Sequence, residues 1–463
     1  METDSLLFSK SSNALPSFSE AGSEEPPKLY RRRWIMLAIL TLLTAENLTQ
    51  WLFYSAISNI IEYHFNISSF PVQLLSLNNL AIIMIFGLPA TYIVNKTTLK
   101  SGCLISGLLS LIALWIKFFG AGKGGFALSL CGQVLASLGT CFVLPLPAQL
   151  ASIWFGIHER SLATSVAASG LSVGMGSAYL FAVQFVPDVP SHTKIQDGLR
   201  KSILVQAMLC STTIIAAVIL FDNVPPSPPS PSQAAVSTEQ QTRSRFVNSL
   251  RELFSNTSFL LTALTFGAVS GVLYAFFSLL SDVILDNYDV DEKIIGWMGF
   301  IGSIAGIPGM LGAGFWLDRT KTFKKSFITC ASLIFLTSLA FTISVKYTAP
   351  IGVLFVIVGL FGFLTAALTT MGFLLGAELT YPVPEILSSG VLLTCAQMFG
   401  VLVLGITSYT VTAISSGFVN GFNTTICLFA ALVTPFIKPD FRRLAEDIIT
   451  SSNTIVGSSS DKE

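Results

Sequence analysis

Twelve apolar runs of roughly 20 residues, set apart by brief polar punctuation, dominate this 463-residue chain. A run of that length matches the ~30 Å hydrocarbon thickness of a bilayer when it is helical. In that medium no water satisfies the peptide groups, so the backbone must bond to itself. The runs therefore predict an all-α membrane protein with twelve transmembrane helices. Composition agrees, because only 11% of residues are charged and mean hydropathy is +0.70, against about 25% charged residues in soluble domains. Lys+Arg and Asp+Glu stand at 26 each with no basic tail set apart, so nothing points to nucleic acid.

The runs fall into two sets. Residues 1–30 are rich in Ser, Glu and Pro without an apolar core and read as a cytosolic tail. Residues 31–222 hold six spans, at about 34–61, 72–94, 101–119, 126–148, 161–186 and 201–221. Residues 223–256 form a Pro-rich linker of a composition that favours extended, semi-rigid linkage. Residues 257–437 hold six more spans, at about 258–282, 294–316, 327–345, 350–374, 387–411 and 420–437, before a polar tail at 438–463. Seventeen Lys and Arg fall on the face shared by the termini and linker, against seven opposite. The positive-inside bias thus predicts cytosolic termini. Two six-helix halves joined by a cytosolic linker predict the major facilitator fold.

Span 1 carries Glu46, Asn47, Gln50, Trp51 and Tyr54, an unusually polar series for hydrocarbon. Positions 47, 50, 51 and 54 share a helix face and Glu46 borders it. Intramembrane ionisable groups usually face a cavity, so Glu46 is read as facing a cationic substrate or coupling proton, or as a carboxyl bonded to packing hydroxyls. Trp51, Tyr54 and Tyr274 of span 7 offer ring faces for a cation, and Gln397 of span 11 offers an amide for a hydroxyl. After span 8, Gly314, Asp318 and Arg319 with Lys324 and Lys325 suit a conformational latch, in which a carboxylate holds a helix end in one state and releases it in the other. The matching place in the first half carries Asn95 instead of an acid. Asn66 and Asn423 head glycosylation sequons on the exoplasmic side. Glu2, Leu6 and Leu7 fit an acidic dileucine sorting signal.

Five stretches, Arg32-Arg33-Trp34, the run Asn47 to Asn59, Leu146 to Phe155, Glu378 to Glu385, and Asp440 to Arg443, together resemble the feline leukaemia virus subgroup C receptor-related family of facilitators. The resemblance implies transport of choline or ethanolamine, of heme, or of pyridoxine in a lysosomal branch. It further implies that Trp51 and Tyr274 enclose a quaternary ammonium and that Gln397 assists. The chain departs at Thr140, where a glutamine is expected, and at Glu46, which replaces an apolar residue.

The expected function is secondary transport of a small organic cation or amine, choline-like or ethanolamine-like, by alternating access. The alternatives are a proton-coupled lysosomal carrier of a pyridoxine-like vitamin, a heme carrier, and a receptor or nutrient sensor without flux. No nucleophile and base are grouped for catalysis, so an enzyme is not expected, nor is a cofactor or metal. The expected partners are a small-molecule substrate and the lipid bilayer, around a monomer in the plasma or lysosomal membrane.

Overall fold

The computed structural model describes residues 30–155, 159–223, 243–380, 383 and 385–438. The dileucine residues Glu2, Leu6 and Leu7 and most of the Pro-rich linker lie outside them, as do the 1–29 and 439–463 tails. Among the described residues the secondary structure is helical, and twelve helices are long and apolar enough to cross a membrane. Spans 1 to 6 are Arg32–Leu52, Ser69–Lys96, Leu99–Gly120, Phe126–Val143, Arg160–Phe185 and His192–Leu220. Spans 7 to 12 are Thr257–Ser278, Glu292–Ile304 with Gly306–Thr320, Phe323–Lys346, Ile351–Thr380, Glu385–Ala413 and Ser416–Val433.

Glycines set the closest helix crossings. A Cβ on Gly174 of span 5 would lie 2.4 Å from the Ala45 carbonyl oxygen of span 1, and one on Gly362 of span 10 would lie 1.8 Å from that of Gly302 in span 8. Only a residue without a side chain permits such backbone contact. Across the two halves, span 8 meets span 5 where Gly299 lies against the Tyr179 ring, and span 11 meets span 2 where Gly400 lies against Leu80.

The first helix of each half is broken near its far-face end. Span 1 stops at Leu52 and resumes as a short helix, Ser58–Phe65; span 7 stops at Ser278 and resumes as Leu280–Asn287. Breaks inside a membrane persist only where other groups satisfy the freed carbonyls. The Gln50 carbonyl accepts from Gln133 Nε2 at 3.2 Å, and the Trp51 carbonyl accepts from Ser76 Oγ at 3.4 Å. At span 7 the partner comes from the other half, since the Tyr179 hydroxyl donates to the Phe277 carbonyl.

The face opposite the linker, called here the far face, is sealed by further bonds between halves. Asp282, on the short helix after span 7, accepts from Ser58 Oγ, from Gln73 Nε2 at 2.9 Å and from Ser69 Oγ at 3.4 Å. On the linker face, Arg33 pairs with Glu159 at 2.7 Å and Arg32 with Asp222 at 2.6 Å, both within the first half.

Candidate substrate site

On the linker side of the far-face seal lies a cavity lined by both halves. Trp51, Tyr274, Phe266 and Phe277 supply its aromatic surface, and Asn79, Thr140, Ser172, Ser270, Ser303, Thr365, Thr369 and Gln397 its polar groups. Among the described residues lining it there is no Asp, Glu, Lys, Arg or His.

The break in span 1 fixes Trp51. Its indole N–H donates to the Ser76 carbonyl at 3.2 Å while its backbone carbonyl receives the Ser76 hydroxyl, so span 2 holds the residue by both ring and backbone. Tyr274 reaches it from span 7 edge-on, with ring centroids 5.2 Å apart and planes at 89°. Gln397 Nε2 donates to the Tyr274 hydroxyl at 3.4 Å, leaving Gln397 Oε1 buried without a partner. The site therefore presents two rings from opposite halves and one unused acceptor beside them.

The other span 1 candidates lie elsewhere. Asn47 Oδ1 accepts from Ser110 at 2.7 Å and Thr140 at 3.3 Å, which places it behind the cavity wall. Thr140 itself divides its hydroxyl between Asn47 and the Ala136 carbonyl, so it turns lone pairs toward the cavity. Gln50 Oε1 accepts from Lys117 Nζ at 3.2 Å inside the first half. Tyr54, 1% exposed, packs edge-on to Phe53. Glu46 faces span 6, where Thr213 Oγ1 donates to it at 2.6 Å. At ~100° per residue, Glu46 stands about 160° around the helix from Leu48, which does line the cavity. The shared polar face of span 1 thus points largely into the six-helix half, whose interior is itself polar.

Lys117 is the main surprise. Counted among the seven charges of the far face, it is 2% exposed inside span 3, with its stem over Gly132, where a Cβ would approach Lys117 Cγ to 2.7 Å. The polar lining of spans 7, 8 and 10 was also missed, because single Ser and Thr residues in apolar helices carry no periodic signal.

The latch residues are placed only in part. Gly314 faces Ser165 of span 5 across ordinary contact, with a Cβ at 3.4 Å, and Arg319 lies over the Phe315 ring at 4.2 Å. The Asp318 side chain is outside the described residues. Of the two sequons, Asn66 caps the short helix after span 1 in left-handed conformation and is exposed. Asn423 lies within span 12 and is 3% exposed, so its amide is closed to a glycosyltransferase. That corrects the expectation from sequence, which could not tell a buried helix position from a loop.

The Major Facilitator Superfamily family model matches residues 37–378. The chain belongs to the major facilitator superfamily. Within it, the chain is 32% identical over 437 residues to the choline/ethanolamine transporter FLVCR1 of Felis catus, covering 92% of this chain and 77% of that protein. It is 29% identical over 434 residues to the choline/ethanolamine transporter flvcr2a of Danio rerio, covering 94% and 92%. It is thus a facilitator of the feline leukaemia virus subgroup C receptor-related family. Among solved structures, a bacterial homologue of the human lysosomal transporter Spinster covers 89% of this facilitator and 98% of its own chain, with a TM-score of 0.66 at 14% identity. The Escherichia coli fucose:proton symporter FucP covers 88% and 100%, with a TM-score of 0.62 at 13% identity. Those two establish the fold. This facilitator is a multi-pass membrane transporter.

Proposed function

We propose that this facilitator carries a small organic cation, choline-like or ethanolamine-like, between the two sides of a membrane by alternating access. The observation that carries the reading is a cavity between the halves with aromatic walls, no charged lining residue and an unused acceptor at Gln397 Oε1. A quaternary ammonium has no N–H to donate, so it needs ring faces rather than a carboxylate, and Trp51 and Tyr274 can supply them. Its hydroxyl can donate to Gln397. The primary ammonium of ethanolamine would draw on the same oxygen and the neighbouring hydroxyls.

The choline and ethanolamine named for the relatives support this chemistry. Heme fits poorly, since its two propionates would meet no cation and its iron no histidine in this lining. The linker face is read as cytosolic from its Lys and Arg excess, with glycosylation at Asn66 on the far side. Moving the two halves about the cavity alternately seals the far face, through the bonds to Asp282, and the linker face, where the Asp318 loop acts as the latch.

The test is uptake into proteoliposomes of choline, ethanolamine, pyridoxine and heme, with and without a pH gradient. Saturable uptake of choline or ethanolamine is expected. Uptake of pyridoxine or heme alone would overturn the substrate class, and saturable binding without any flux would favour a receptor.

A further inference from the structure

The bonds that seal the far face end on carboxylates, and no base answers them. Asp282 takes three donors from the first half, all uncharged: Ser58, Ser69 and Gln73. Glu62, on the short helix after span 1, lies close enough to feel the Asp282 charge, and Glu292 at the start of span 8 is 3% exposed and held by Ser281 Oγ at 3.1 Å. Among the described residues, none of the three has a Lys, Arg or His within ion-pair distance.

The groups on the surrounding elements confirm the one-sided charge. From span 5 comes the Tyr179 phenol, and from the segments before spans 6 and 8 come Asp188 and Asp291. Asp286, farther along the Asp282 helix, bonds Ser416 at 2.5 Å. His64, on the same short helix as Glu62, turns instead to the Ala121 carbonyl at 3.0 Å and to the His192 ring. Lys293 is exposed, and Lys346 at the end of span 9 lies over the Tyr347 ring.

We propose that the far-face seal is a proton-binding gate: closing the two halves over Asp282 and Glu62 takes up a proton from the far side, and parting them returns it there. The proposal rests on the alternating-access reading, since only relative motion of the halves opens the seal. Closure brings two carboxylates together in a partly dehydrated site, and like charges so placed cannot both stay ionised cheaply. Burial first, and then the Asp282 carboxylate, push Glu62 from its ordinary 4.5 up to about 7, against a lowering by Ser69. Opening restores solvent and separates Glu62 from Asp282, which returns it toward the ordinary value. A group raised in the closed state favours closure in full below about 4.5, and that advantage is lost as pH rises through about 7.

The test places spin labels at Asn66→Cys in the first half and Tyr347→Cys in the second, both exposed at the far face. The exposed Cys131 is replaced by Ser. Distances between labels are measured on the full chain in lipid nanodiscs, without substrate, from pH 5 to 8.5. The ratio of closed to open gate is expected to fall about tenfold across that range, a single titration discounted for the partial exposure of Glu62. Glu62→Gln should remove most of the dependence and Asp282→Asn most of the rest, while Asp286→Asn should keep it. A flat wild-type ratio would overturn the proposal, as would Glu62→Gln and Asp282→Asn both tracking wild type. A ratio that follows sodium at fixed pH would overturn the proton as the ligand. The readout needs no substrate, so failed choline uptake would sink the transport reading alone and leave the gate standing.

Discussion

Replacing Trp51 by Ala tests whether the ring pair holds a cation or merely packs. The Trp51 and Tyr274 rings touch edge-on at 5.2 Å, so a cation seated between their faces must first part them. Such a ring contact is worth ~1 kcal/mol, while a desolvated cation–π contact with Trp is worth ~2 kcal/mol. Trp51→Ala loses the second and no longer has to break the first. The net loss is ~1 kcal/mol, about a fivefold weaker choline affinity. Trp51→Phe should lose less, since a ring remains and only the bond from the indole N–H to the Ser76 carbonyl is gone. A Tyr274→Ala variant and the double variant complete a cycle, and the two rings should show coupling. The assay is equilibrium binding of labelled choline to detergent-purified protein, with thermal unfolding measured in parallel because a Trp→Ala change in a packed wall also costs stability. If the rings only pack, removing Trp51 removes the contact that a ligand must break, and affinity rises or stays level. Either result in a folded variant refutes the cage.

Three further outcomes are expected. Gln397→Leu removes the unused acceptor and should weaken choline about three- to tenfold, while leaving tetramethylammonium, which has no hydroxyl, unaffected; equal losses for both ligands would count against a hydroxyl contact. Gly362→Ala places a methyl group 1.8 Å from the Gly302 carbonyl oxygen and should lower stability by ~1–3 kcal/mol through forced separation of spans 8 and 10, read as a fall in unfolding temperature. Glu46→Gln should keep both choline binding and the pH response of transport, because the Glu46 carboxyl faces Thr213 in span 6 rather than the cavity; loss of that response would return Glu46 to the transport path.

The spans were legible because a bilayer leaves a chain few solutions, and a twelve-run pattern with a polar interruption after the sixth reads directly as two halves. Trp51, Tyr274 and Gln397 were legible as bulky polar-tipped side chains in otherwise apolar helices. For Glu46 the sequence left two readings, a cavity-facing carboxyl and one bonded to packing hydroxyls, and the structure sets the carboxyl against Thr213. Periodicity gives the angle between Glu46 and Leu48 but not which of them faces the cavity, and in a six-helix half the interior offers polar partners too. Lys117 was hidden for a related reason: its position near the end of span 3 counted it with the far-face charges, whereas Gly132 on the neighbouring helix makes a groove for its stem. Asp282 read as the end of an apolar span, and its importance depends wholly on Ser58, Ser69 and Gln73, more than 200 residues earlier in the chain.

An uncharged cavity beneath an acidic gate separates what drives transport from what paces it. A permanent cation carries its own charge across the membrane, worth ~2.3 kcal/mol per 100 mV, and no carboxylate in the cavity lining neutralises that charge on the way. The gate proton, by contrast, enters from the far side when the seal forms and leaves to the far side when it opens, so it crosses nothing. Far-side pH should therefore change the initial rate of choline flux without changing the final accumulation. At a fixed membrane potential the steady-state ratio of choline across a proteoliposome should match one charge per molecule, whether or not a pH gradient is imposed. A proton moving with the substrate would add a second driving term and shift that ratio tenfold for each unit of pH difference. Steady-state accumulation measured at fixed potential, with and without a pH gradient, tells the two apart, and a ratio that follows the gradient would show that a proton is carried across the membrane rather than returned at the gate.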